Sequence, residues 1–243
     1  MKTKRTLVAL GCAIALFGAT LIAHAQETTP PAQAAPTTEE RVAAIKTHLA
    51  QSMQALKQYQ WIETTSVSLK GEEKSNTQNN CYYGADGKVV KTPVAAPAEA
   101  DEKRGLRGKI IENKKEEMGE YMQSAVALVK TYLPPDPAKI QAAKDAGKVS
   151  MTPLEGGKRV KVDIKDYEKP GDVLGIEVDM TTNQILGLSV ASYLADAKDA
   201  VTLDVKMAAL ADGTGYPSTI VLDGKAKEIK VAITNSGHQK KAN

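Results

Sequence analysis

One stretch constrains the fold more than any other: Ala200–Asn235, AVTLDVKMAALADGTGYPSTIVLDGKAKEIKVAITN. Val201, Leu203, Val205 and Met207 alternate with Thr202, Asp204, Lys206 and Ala208, the period of two that gives a strand one apolar face. Asp212-Gly213-Thr214-Gly215 interrupts the run, and a second strand is expected from Tyr216 to Leu222. Asp223-Gly224 then reads as a turn into a third strand, where Ile229, Val231 and Ile233 alternate with Lys230, Ala232 and Thr234. A meander with one apolar face must lie against something, and the rest of the chain has to supply it.

Upstream, Val42, Ile45, Leu49, Met53 and Leu56 recur at helical spacing, with Glu39 and Glu40 in the first turn where the helix dipole favours acids. Trp61 to Leu69 reads as a strand with Trp61, Val67 and Leu69 on one parity; Ser75 to Tyr83 and Lys88 to Thr92 follow as weaker strands around Asp86-Gly87. Glu99 to Glu117 carries acids and bases in equal number, so it is expected as a solvated segment and not a one-sign patch. Met118, Tyr121, Met122, Ala125, Leu128, Val129 and Tyr132 form a helical stripe stopped by Pro134-Pro135, and Asp136-Pro137 opens a short second helix. Strand alternation resumes at Val160, Val162 and Ile164, then at Ile176, Val178 and Met180, then at Ile185, Leu186, Leu188 and Val190. The turns between them are Lys169-Pro170-Gly171-Asp172 and Thr182-Asn183.

Lys2, Lys4 and Arg5 precede an apolar run from Leu7 to Ile22 that ends in Ala23-His24-Ala25, the pattern of a secretory signal cut near Ala25. Periplasmic or secreted localisation is therefore expected. Ala9-Leu10-Gly11 before Cys12 is a poor match to a lipidation site. The expected organisation is a signal peptide over 1–25, a flexible leader over 26–37, one domain over 38–236 with a helical insertion at about 99–147, and a flexible tail over 237–243. Loss of the signal leaves 29 basic against 29 acidic side chains, which argues against nucleic acid as a partner. No second apolar run is long enough to cross a membrane.

Chemistry-bearing motifs are sparse. His48 and His238 read as solvated side chains, and Cys81 as a half-buried strand thiol with no base assigned to it. Gly187-Leu188-Ser189-Val190-Ala191 lacks the closing glycine of a nucleophile elbow. Asp163, Asp166, Asp172 and Asp179 lack calcium-loop spacing and read as a charged outer face. The expectation is a protein that is not an enzyme, with no catalytic residue, no metal and no cofactor.

Three segments carry a family likeness: the first helix running into Tyr59-Gln60-Trp61, the Lys169-Pro170-Gly171-Asp172 turn, and Leu210-Ala211-Asp212-Gly213-Thr214-Gly215-Tyr216-Pro217. With the element order, they resemble the LolA/LolB-like periplasmic lipoprotein-carrier fold and uncharacterised exported bacterial proteins of that fold. The resemblance implies an α+β fold in which a curved antiparallel sheet, a half-barrel, is capped on its concave face by helices. It also implies a carrier that shelters a lipid, a lipidated protein or another apolar ligand. On that reading Trp61, Val67, Leu69, Ile176, Val178, Leu188, Val201, Leu203 and Ile220 line the ligand site, and Met118, Tyr121, Met122, Leu128 and Tyr132 form a lid. The alternative is an envelope interaction or structural module whose helices fill the same face and leave no cavity.

Overall fold

The computed structural model describes residues 38–94 and 106–241, all within the compact unit Thr37–Asn243. The signal segment, the leader, Cys12 and residues 99–105 of the charged segment lie outside the described residues. Helix α1 (Thr38–Leu56) leads into β1 (Tyr59–Leu69), β2 (Glu72–Tyr83) and β3 (Val89–Pro93). Helices α2 (Leu106–Lys130) and α3 (Pro137–Asp145) follow, then β4 (Val149–Leu154), β5 (Arg159–Lys165), β6 (Val173–Asp179), β7 (Gln184–Tyr193), β8 (Ala200–Ala209), β9 (Gly215–Gly224) and β10 (Ile229–Lys240). The ten strands form one open antiparallel sheet in the order β3-β2-β1-β10-β9-β8-β7-β6-β5-β4, an α+β architecture.

This order explains the helical insertion. β3 and β4 are consecutive strands but lie at opposite edges of the sheet. At about 4.8 Å per strand, the connection must travel on the order of 40 Å across the sheet. The 25 residues of α2 supply roughly 37 Å of that at 1.5 Å per residue, so the insertion has the length the topology requires. Both edges are short strands that carry a proline, Pro93 and Pro153, which removes a backbone donor from an edge open to pairing.

Register places the alternating apolar residues on one face. Leu203 stands opposite Leu222, Leu222 opposite Val231, Val231 opposite Val67, and Val67 opposite Ser75. Burial falls along this row: Leu203 and Leu222 are buried, Val231 and Val67 half-buried, and Ser75 exposed. The core sits at the buried end, where Ala125 and Val129 of α2, Tyr132 in the turn just after it and Ala143 of α3 pack on Ile164, Leu174, Val190, Val201, Leu203 and Leu222.

Two segments depart from the pattern in the sequence. Gly224 was expected in a turn but ends β9, and the turn falls on Lys225–Lys227 with Glu228 in the left-handed region at φ 49°. Gly224 serves close approach: a Cβ there would lie 2.4 Å from Cε1 of Tyr121, so the ring of α2 rests on bare backbone. Gly224→Ala is expected to push α2 outward at a cost of about 1–3 kcal/mol. Urea unfolding should show that loss, and a Tyr121→Ala background should relieve part of it. β10 also runs on to Lys240, so residues 237–240, expected as tail, are strand.

Candidate functional site

The C-terminal half of α2 was expected as a lid, but the structure seats it as core. The Tyr132 hydroxyl donates to Asp172 Oδ2 at 2.5 Å and lies 2.8 Å from Ser192 Oγ. Burial, followed by the Asp172 hydrogen bond, drives its pKa far up, so the phenol stays a donor. Asp172 is itself fully buried and also accepts from the backbone N–H groups of Tyr167 (2.6 Å), Glu168 (3.1 Å) and Lys169 (2.9 Å). The sequence reading had placed this carboxylate on a solvated face. The tight turn Lys169-Pro170-Gly171-Asp172 folds it inward, because three turn donors need an acceptor. Higher up α2, the Tyr121 hydroxyl donates to Asp199 at 2.8 Å, and burial with that bond pushes its pKa up to about 12. Met122 and Leu128 pack against the same core at partial burial, and Met118 is half-buried.

Helix α1 is attached differently. Arg41 Nη1 donates to Met180 O (3.0 Å), His48 Nε2 lies 3.3 Å from Gln184 Nε2, and Gly215 N donates to Ser52 Oγ (3.0 Å). Just beyond the helix, the Tyr59 hydroxyl donates to Asp212 Oδ2 at 2.6 Å. That bond, with Thr214 donating as well, lowers the Asp212 pKa to about 2. These are polar pegs to two turns at one end of the sheet. Part of the helix's apolar stripe stays in solvent: Val42, Leu49 and Met53 are 45%, 39% and 60% exposed.

Beneath α1 lies a groove of about 180 Å³, walled by Ile45, Leu49, Ile185, Leu186 and Met207, with His48, Ser52, Asn183 and Gln184 as its polar margin. None of the nine expected ligand residues borders it. Val201, Leu203 and Val178 are buried, the first two under α2, and Trp61 is buried near the start of β1. Val67, Leu69, Ile176, Leu188 and Ile220 remain half-buried on the same face. Strand parity identified the face correctly but carries no information about which part of it a helix covers. The exposed flank of α1 was legible only as part of a continuous stripe.

At the start of β1, a second cluster corrects the reading of His238. Its ring stacks on Trp61 (5.9 Å between centroids) and meets Tyr216 (4.0 Å), and Tyr83 packs on Trp61 at 5.6 Å. The Trp61 indole N–H donates to Asn235 Oδ1 at 3.0 Å. Burial lowers the His238 pKa below its ordinary 6.5. The unfolded chain therefore binds more protons, and this contribution to stability is present above pH 6.5 and lost as the pH falls below it. Thermal melts should show Tm dropping from about pH 7 to about pH 5, and His238→Phe should flatten that slope.

Nucleophilic chemistry finds no support in the cysteine. Cys81 is fully buried beside the Glu63–Lys91 ion pair (2.6 Å), and burial, followed by the Glu63 charge, raises its pKa and holds it as a thiol. Among the described residues, no helix is long and apolar enough to cross a membrane, and no group of three or more His, Cys, Asp or Glu is placed to hold a metal.

No family model matches the chain, and no curated protein matches it. Among solved structures it is similar to a LolA superfamily protein from Nitrosomonas europaea, with 6% identity, a TM-score of 0.38, and coverage of 82% of this chain and 94% of that one. It is also similar to a DUF1329 family protein from Desulfovibrio piger, with 11% identity, a TM-score of 0.35 and the same two coverages. A third is a putative outer membrane lipoprotein-sorting protein domain from Vibrio parahaemolyticus, at 12% identity and a TM-score of 0.30, again covering 82% and 94%.

Proposed function

We propose that the protein is an exported, non-enzymatic carrier that holds the apolar part of a lipid or lipidated partner in a trough between α1 and α2. The supporting observation is the exposed flank of α1 above a half-buried apolar sheet face. At about 100° per residue, Arg41, His48 and Ser52 fall on one side of a line through Ile45, and Val42, Leu49 and Met53 fall on the other. The first side is bonded to Met180, Gln184 and Gly215 at the end of the sheet. The second side therefore faces back along the strands, toward Leu188, Val205 and Ile220. Of the expected ligand residues, Ile176, Leu188 and Ile220 fit this floor, whereas Val201 and Leu203 belong to the core.

The groove under α1 has about the volume of a cavity that holds one benzene, short of the roughly 300 Å³ at which ligand pockets begin. A longer chain needs α1 to lift from its polar pegs while α2 stays fixed. Each methylene moved from water into such a trough contributes about 0.8 kcal/mol, so six or seven suffice for roughly 5 kcal/mol before ordering costs. Charged residues of β5 to β9, such as Lys161, Asp163, Glu177, Asp204 and Lys206, fall on the opposite parity, so the trough suits acyl chain and not headgroup.

The protein should be purified from a bacterial host, extracted with organic solvent, and the extract read by mass spectrometry. Lipid above the level of an unrelated exported protein is expected. Its absence, together with no uptake of the neutral fluorophore N-phenyl-1-naphthylamine, would favour the filled-core module instead.

A further inference from the structure

The outer face of the sheet is divided by chemistry. On β5, β6 and β8 it carries Arg159, Lys161, Asp163, Glu177, Asp204 and Lys206, with ion pairs such as Arg159–Glu177 (3.2 Å) and Lys161–Asp163 (3.1 Å). On β3, β2, β1 and the end of β10, the same face carries mainly amides and hydroxyls, with Ile62 and Val90 among them. Register places Tyr82 opposite both Gln60 and Val90, Asn80 opposite both Ile62 and Thr92, and Gln78 opposite Thr64. Thr234 stands opposite Thr64 on β10. In a chain that is 25% charged, the charges on this run of neighbouring outward positions are Lys241 beside Tyr82 at one end and Glu73 and Lys230 at the other.

The amides are available. Gln78 Nε2 donates to Thr64 Oγ1 at 3.3 Å, whereas Gln60 and Asn80 make no side-chain hydrogen bond among the described residues. Tyr82 is 37% exposed, and Lys241 Nζ stands 5.6 Å from the centre of its ring. A charged partner would find few complementary charges here, and an apolar one would leave a grid of amides and hydroxyls desolvated without partners. A neutral polymer that is rich in hydroxyls and acetamides and has apolar ring faces meets each feature: donors and acceptors for the amides and hydroxyls, an apolar face for Tyr82, Ile62 and Val90, and no charge of its own to desolvate.

We propose that this outer face, β1 to β3 with the end of β10, is a docking surface for a neutral glycan chain. It lies on the opposite side of the sheet from the trough, so either site stands or falls without the other.

The probe is chitopentaose, titrated into the purified protein by calorimetry, with polygalacturonate as an acidic comparison. Saturable binding in the micromolar to millimolar range is expected, nearly unchanged by added salt because no ion pair is formed. Tyr82→Ala should weaken it by about tenfold or more and Tyr82→Phe should retain it, both with unchanged circular dichroism, since the side chain is exposed. No saturable heat, binding of polygalacturonate alone, or equal affinity in Tyr82→Ala would each overturn the proposal.

Discussion

Replacing Asp172 with alanine is expected to cost about 3–5 kcal/mol of folding stability, the largest effect of any single substitution considered for this chain. The carboxylate is the common acceptor for the Tyr132 hydroxyl and for the backbone N–H groups of Tyr167, Glu168 and Lys169. Alanine leaves those donors without their acceptor at a fully buried position, where the Tyr132 hydroxyl and the Tyr167 N–H are shut off from water. Tyr132→Phe removes the hydrogen bonds to Asp172 and Ser192 but keeps the ring and leaves the backbone donors their acceptor, so it should cost about 1–2 kcal/mol. For a domain of this size, 1 kcal/mol corresponds to roughly 2–4 °C, which separates the two variants clearly in a thermal melt. Equal losses would mean that Asp172 acts only through Tyr132 and that the turn does not depend on it.

Pinning α1 to the sheet should largely abolish ligand uptake. An ideal Cβ on Gly215 lies 3.8 Å from Cβ of Ser52, about the mean separation in a disulfide. The double substitution Ser52→Cys/Gly215→Cys therefore suits a crosslink between α1 and the start of β9. Cys81 is buried and does not compete for it. Oxidised protein is expected to take up N-phenyl-1-naphthylamine at least ~10-fold more slowly than the same protein after reduction, because the groove under a fixed α1 admits only a short apolar group. Equal rates in the two redox states would show that α1 need not move.

Much of this architecture was legible in the sequence for a simple reason. Period-two alternation reports which side chains share a face, and it did so for β5 through β10, down to Val201, Leu203, Ile229 and Val231. The helical stripes of α1 and α2 were equally plain. Alternation cannot report what covers a face. Val201 and Ile220 share a parity and differ in burial because α2 reaches one and leaves the other half open. Polar residues misled for a related reason. Asp172 and His238 have the composition of surface, but the first answers backbone donors within a turn and the second fills a gap between Trp61 and Tyr216. Gly224 read as turn because glycine usually marks one, whereas here it makes room for Tyr121.

Photo-crosslinking tests the trough most directly. A long-chain alcohol bearing a diazirine near its methyl end should be bound, irradiated, and its adducts mapped by peptide mass spectrometry. Adducts are expected on the flank of α1 at Leu49 and Met53 and on the sheet at Leu188, Val205 and Ile220. Adducts confined to the outer face or to the strand edges, or none above an irradiated control protein, would contradict a ligand site between α1 and α2.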